Sequence, residues 1–94
     1  MTRRVNIIVS GKVQGVYFRA ATQKQAQKLD VKGWVRNLAS GDVEIHAVGT
    51  SSAIAELIRW SHKGPTFARV KQVQVTELPE GETFADFEIR KDAF

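Results

Sequence analysis

Apolar and polar residues alternate from Arg3 to Ser10, with Val5, Ile7 and Val9 on one side and Asn6, Ile8 and Ser10 on the other. A period of two is that of a β-strand, here expected to be largely buried. A loop bounded by Gly11 and Gly15 follows. From Phe18 to Asp30 the period lengthens: Phe18, Thr22, Ala26 and Leu29 recur at spacings of four, four and three. That predicts a helix with a thin apolar stripe, its Gln23, Lys24, Gln27 and Lys28 in water. Gly33 is placed for the chain to change direction after the helix. Trp34 to Leu38 reads as a short strand, Ala39-Ser40-Gly41-Asp42 as a turn, and Val43, Ile45 and Ala47, alternating with Glu44, His46 and Val48, as its hairpin partner. Any of Thr50, Ser51 and Ser52 suits the cap of a second helix, with Ile54, Leu57, Ile58 and Ser61 on one face and Gly64-Pro65 as its stop. Strands at Val70–Leu78 and Phe84–Arg90, divided by Pro79-Glu80-Gly81, complete the chain. In the last, Ala85, Phe87 and Ile89 point one way and Asp86, Glu88 and Arg90 the other.

The order β-α-β-β-α-β plus a final strand is that of an α+β, ferredoxin-like sandwich: an antiparallel or mixed sheet with two helices on one face and an extra C-terminal strand. The 94 residues are expected to form one domain, residues 1–94, with a modest core. Cysteine is absent, which excludes disulfides, thiolate nucleophiles and zinc–sulfur sites. No apolar segment follows the Met-Thr-Arg-Arg start and no apolar run approaches membrane-spanning length, so neither a signal peptide nor a membrane span is expected. A reducing cytoplasm follows by elimination. His46 and His62 are sixteen residues apart with no carboxylates in a ligand pattern, so no metal site is expected, and His62 is read as complementing the C-terminal dipole of the second helix.

Fourteen basic against ten acidic residues leave a net charge of +4, which favours anionic partners without choosing among them. The stretch "GKVQGVYFR", Gly11 to Arg19, adds a reason to think of phosphate. It leads from a strand into a helix start, where backbone N–H groups lack intrahelical acceptors and carry the positive end of the helix dipole. A loop curling just before such a start presents several N–H groups to one anion. Gly15 permits backbone angles closed to other residues, and Arg19, in the first turn, can fork onto two oxygens. The stretch is not a Walker A loop, since Val13 rather than Ser or Thr follows Gly11-Lys12. On pattern alone, a plain β–α turn with a solvated arginine is the favoured account, because glycine turns before helices are common.

The residues themselves go further. "GKVQGVYFR" closely resembles the acylphosphatase signature of glycine, any residue, Val-Gln-Gly-Val, any residue, Phe-Arg. "KGWVRNLASGDVEI" is similar to that family's Gly-Trp-Val-x-Asn stretch with its glycine turn and valine strand, and "GPTFARVKQV" to its Gly-Pro-x-x-Ala-x-Val stretch. The three patches keep the family's order and the likeness covers almost the whole chain. Ser40 departs from the Asp that many members carry before the turn glycine; both suit a turn. The resemblance implies a hydrolase that splits acyl phosphates into carboxylate and inorganic phosphate, with no metal, no cofactor and no covalent phosphoenzyme. It implies Arg19 as the phosphate-binding arginine, Asn37 as the water-holding asparagine, and the backbone of Gly15, Val16, Tyr17 and Phe18 as the cradle.

The chemistry suits so few groups. A carboxylate leaving group, with a conjugate-acid pKa near ~4, departs without a proton. A backbone cradle and one guanidinium can hold the phosphoryl charge. An asparagine amide can orient water but is no strong base, so its contribution is positional. Tyr17 is a candidate wall for the acyl group. The expected partners are thus the acyl phosphate and phosphate alone, acting on a monomer, with no nucleic acid and no membrane. Two rivals remain. An RNA-binding module shares the element order, but its stacking aromatics are missing from "DVEIHAV". A non-catalytic anion-binding regulatory domain would not need both Arg19 and Asn37.

Overall fold

The computed structural model describes all 94 residues. The alternation in the chain becomes a sheet buried on one side. β1 (Thr2–Lys12), α1 (Phe18–Lys28), β2 (Lys32–Asn37), β3 (Val43–Thr50), α2 (Ser51–Lys63), β4 (Arg69–Glu77) and β5 (Phe87–Ile89) follow in order. The sheet runs β4-β1-β3-β2-β5. β1 pairs antiparallel with β3 and β4, β2 antiparallel with β3, and β5 parallel to β2 at the edge. Each helix joins two strands that flank a third, the split βαβ expected from the sequence. Val5, Ile7 and Val9 of β1 and Val43, Ile45 and Ala47 of β3 face the helices and are fully buried. They meet Phe18 and Ala26 of α1 and Ile54 and Leu57 of α2 in one core. Neither helix is long and apolar enough to cross a membrane.

Three expectations from the sequence need correction. Gly11 does not bound a loop: it lies inside β1, at a slip in register against β4 between Ser10 and Gly11. Gly33 does not turn the chain after α1; Asp30 does, at φ 57°, and Gly33 sits within β2. A Cβ at Gly33 would lie 1.8 Å from the carbonyl oxygen of His46, so the residue is there to let β2 and β3 approach. The last strand is three residues long rather than seven, because only Phe87–Ile89 pair with β2. Phe87 enters the core, while Phe84 packs edge-on to His46 on the other side of the sheet and Ala85 is exposed.

Candidate active site

The segment after β1 is pinned by every residue that can reach the core. Val13, Val16 and Phe18 are buried, and the Phe18 ring lies 5.5 Å from that of Trp60 on α2. With those side chains turned inward, Gly15, Tyr17 and Arg19 turn outward and line a cavity of about 400 Å³ together with Val13, Phe18, Ala20, Asn37 and Ile89. Asn37, Arg19 and the loop, eighteen residues or more apart between helix start and strand end, thus share one opening. Of the residues expected there from the sequence, only Val16 does not line it: its side chain is in the core and its backbone alone belongs to the loop.

The backbone shape of the loop is unusual. Gly15 has φ 74° and Tyr17, in the capping position just before α1, has φ 63° and ψ 24°. No atom lies within 4 Å of a Cβ built on Gly15, so the backbone angle and not crowding calls for glycine there. Tyr17 takes the left-handed conformation with a side chain, at a local cost. The result is an open helix start. No side chain caps α1, and the N–H groups from Gly15 to Ala20 donate to no acceptor within the protein; Ala21, bonded to the Tyr17 carbonyl at 3.0 Å, is the first to do so.

Two side chains complete the arrangement. Arg19 donates from Nη1 to Oδ1 of Asp92 at 3.0 Å, leaving the rest of the guanidinium fork without a protein acceptor. Both partners are about one-third exposed, so the pair is open to solvent and to competition. The segment carrying Asp92 also reaches Asn37, whose backbone carbonyl accepts from Ala93 N–H at 2.9 Å. Asn37 itself is 94% buried (6% exposed), and its side-chain oxygen Oδ1 is fully enclosed with no hydrogen-bond partner in the protein. Asp92 was not legible in the sequence, since nothing in "RKDAF" points to a residue 73 positions away.

No three His, Asp or Glu side chains gather in a way that could hold a metal ion. The neighbourhood of His46 lies on the opposite side of the sheet. Its ring stacks on Trp34 at 5.5 Å and its Nε2 accepts from Arg4 at 3.1 Å. Burial, and then the charges of Arg4 and Arg90, push the His46 pKa below its ordinary value, against weaker opposition from Glu44 and Glu82.

The acylphosphatase family model matches residues 5–89, a span that includes the whole loop and Asn37. The chain belongs to the acylphosphatase family. As an acylphosphatase-family member it is a hydrolase, and its relatives are close. It is 49% identical over 89 residues to an acylphosphatase of Rubrobacter xylanophilus, covering 95% of this chain and 81% of that one. It is 53% identical over 81 residues to an acylphosphatase of Gloeobacter violaceus, covering 85% and 87%. The solved structure of an acylphosphatase from Bacillus subtilis superposes with a TM-score of 0.91 at 38% identity, over 96% of this chain and 99% of that one. Full-length HypF, in a phosphate- and nucleotide-bound form, is similar with a TM-score of 0.88 at 32% identity, but the match takes in 99% of this chain and only 12% of HypF.

Proposed function

We propose that the chain hydrolyses acyl phosphates at the Arg19–Asn37 cavity, by direct attack of water on phosphorus. The phosphoryl group rests on the N–H groups of Gly15, Val16, Tyr17, Phe18 and Arg19, at the positive end of α1. The free part of the Arg19 fork takes two further oxygens, with Asp92 holding the guanidinium in place until an anion shares it. Asn37 holds the water. Its side-chain amide, on the cavity wall, hydrogen-bonds the water and turns an oxygen lone pair towards phosphorus. The P–O bond to the carboxylate breaks as the water oxygen bonds to phosphorus. The acyl oxygen leaves as carboxylate with both bonding electrons, and the water proton passes to a phosphoryl oxygen, giving inorganic phosphate. The apolar side of the cavity, Tyr17, Ala20 and Ile89, faces the acyl group.

The observation that carries this reading is a buried asparagine, its Oδ1 without a partner in the protein, on the wall of the same cavity as an arginine fork and an uncapped helix start. A buried polar side chain without a full set of partners is costly, so its place on the cavity wall calls for a role beyond packing. Every group invoked comes from one chain, so a monomer suffices. The experiment is Asn37→Ala assayed on acetyl and benzoyl phosphate. Turnover is expected to fall roughly 10²–10³-fold, the scale of one lost preorganised group, while inhibition by phosphate stays nearly unchanged. A folded variant with near-normal turnover overturns the role given to Asn37. The likeness to a small part of HypF favours a second reading, an anion-binding domain of a larger protein; it predicts phosphate binding without turnover in the unaltered chain.

A further inference from the structure

We propose that Gln14 is a positioning residue that fixes the spacing between the phosphate cradle and the water-holding asparagine. The proposal rests on the roles given above to the cradle and Asn37. One nitrogen of Gln14, Nε2, donates both of its protons from the loop to the turn after β2: to the carbonyl oxygen of Leu38 at 2.8 Å and to that of Asp42 at 2.9 Å. Gln14 immediately precedes Gly15, the first residue of the cradle. Leu38 immediately follows Asn37.

The receiving side is itself a closed unit. Leu38 N–H donates to Asp42 O at 2.9 Å, and Gly41 N–H donates to Leu38 O at 3.1 Å, so the two carbonyls belong to the turn that ends β2. No other hydrogen bond joins residues 13–17 to residues 37–42. The two halves of the site therefore come from different elements, and a single carboxamide bridges them at this edge. The far side is bridged separately, by Asp92 on Arg19 and Ala93 on Asn37.

Glutamine is the residue type such a bridge needs. It offers two donors on one nitrogen at the end of a chain long enough to cross from loop to turn. Glutamate has the same shape and only acceptors when ionised, and methionine has similar length and no donor. Losing the bridge leaves the N–H groups of the cradle and Arg19 on their own side, still able to bind phosphate. What changes is the line from water to phosphorus, where a displacement of about 1 Å costs on the order of 10²-fold in rate.

The test is Gln14→Met and Gln14→Glu, each with thermal melts, kcat, KM and the inhibition constant for inorganic phosphate, together with the double variant Gln14→Met/Asn37→Ala. Both single variants are expected to lose roughly 10–100-fold in kcat. The phosphate inhibition constant of the methionine variant should move by less than about threefold. In the double variant kcat should match that of Asn37→Ala, because a residue that acts through Asn37 has nothing left to position. Three results overturn the proposal: methionine at position 14 with kcat within about threefold of the unaltered chain, phosphate affinity falling in step with kcat, or losses that multiply in the double variant. Should Gln14→Met melt below the assay temperature, kcat of the similarly shaped Gln14→Glu decides between the first result and the expected one. If Asn37→Ala alone keeps its turnover, the reading of Asn37 fails and this proposal with it. If Asn37→Ala loses turnover and Gln14→Met does not, only the role of Gln14 fails.

Discussion

The two helices begin in opposite ways. At the start of α2, Thr50 is in an extended conformation and its Oγ1 accepts from Ala53 N–H at 3.2 Å, while Ser51 N–H donates to the Met1 carbonyl at 2.8 Å. At the start of α1, a left-handed Tyr17 takes the capping position, no side chain caps, and a run of N–H groups points away from any protein acceptor. Both helices lie on the same face of the sheet, each following a strand of the same hydrophobic pattern. Their starts were free to be alike. The α2 start has acceptors within the protein for the N–H groups of Ser51 and Ala53, which contributes to stability. The α1 start leaves its N–H groups open, with Arg19 beside them, and holds its shape through the buried Val13, Val16 and Phe18 instead.

The largest effect should come from the open start. Arg19→Gln is expected to lower kcat/KM on acetyl phosphate by roughly 10³–10⁵-fold, the scale of arginine contributions to phosphoryl transfer, and to weaken phosphate inhibition as well. Arg19→Lys should restore little, since a point charge cannot reproduce the fork. Steady-state kinetics check both, with melts to show the fold intact. Activity within tenfold of the unaltered chain would make the two helix starts functionally equivalent and end the contrast.

The closed start should respond in stability alone. Thr50→Ala removes the acceptor of Ala53 N–H and is expected to cost roughly 1 kcal/mol, about 4–8 °C in the melting temperature of a domain this size. Activity below the melt should not change. A loss of kcat in this variant would show that the α2 start is coupled to the site.

A smaller effect belongs to neither start and serves as a control. The His46 pKa lies below its ordinary 6.5 in the fold. Between the two values the unfolded chain binds a proton that the folded chain does not, so acid favours unfolding. Stability should fall as pH drops through about 6.5 towards the lower folded value, and His46→Gln should flatten that part of the melting-temperature profile without touching kcat. Glu77, held below its usual value by the hydrogen bond from Arg3, acts in a separate window, its stabilisation lost only as pH falls below 4.5. An unchanged slope around pH 6 in the His46 variant contradicts this assignment.

What the sequence made legible follows from how each feature is encoded. Val5-Ile7-Val9 and Val43-Ile45-Ala47 were readable because one-sided burial of a strand writes a period of two directly into the chain. The loop was readable as a candidate cradle because strand, glycine, helix and arginine are contiguous, but only its likeness to the family signature set it apart from a plain β–α turn. The pairing of Arg19 with Asp92, the bridge from Gln14 to two carbonyls and the unpartnered Oδ1 of Asn37 were not readable. Each depends on which distant backbone the fold brings near, and a glutamine or aspartate reads the same whether bridging or solvated. The short β5 was overread for a related reason. Residues 84–90 alternate as a strand does, but pairing ends where β2 no longer offers backbone beside them, and Phe84 instead reaches His46.

The most direct measurement of the contrast between the helix starts is a titration of inorganic phosphate followed by amide NMR. The shifts should concentrate on the N–H groups from Gly15 to Ala20, with smaller ones at Asn37 and Leu38, and leave Ser51 to Ala53 where they are, while phosphate inhibits acetyl phosphate hydrolysis competitively. Shifts centred on the start of α2 or on the outer face of the sheet around Trp34 and His46, or saturation without movement between Gly15 and Ala20, would contradict the placement of the phosphoryl group at the open start of α1.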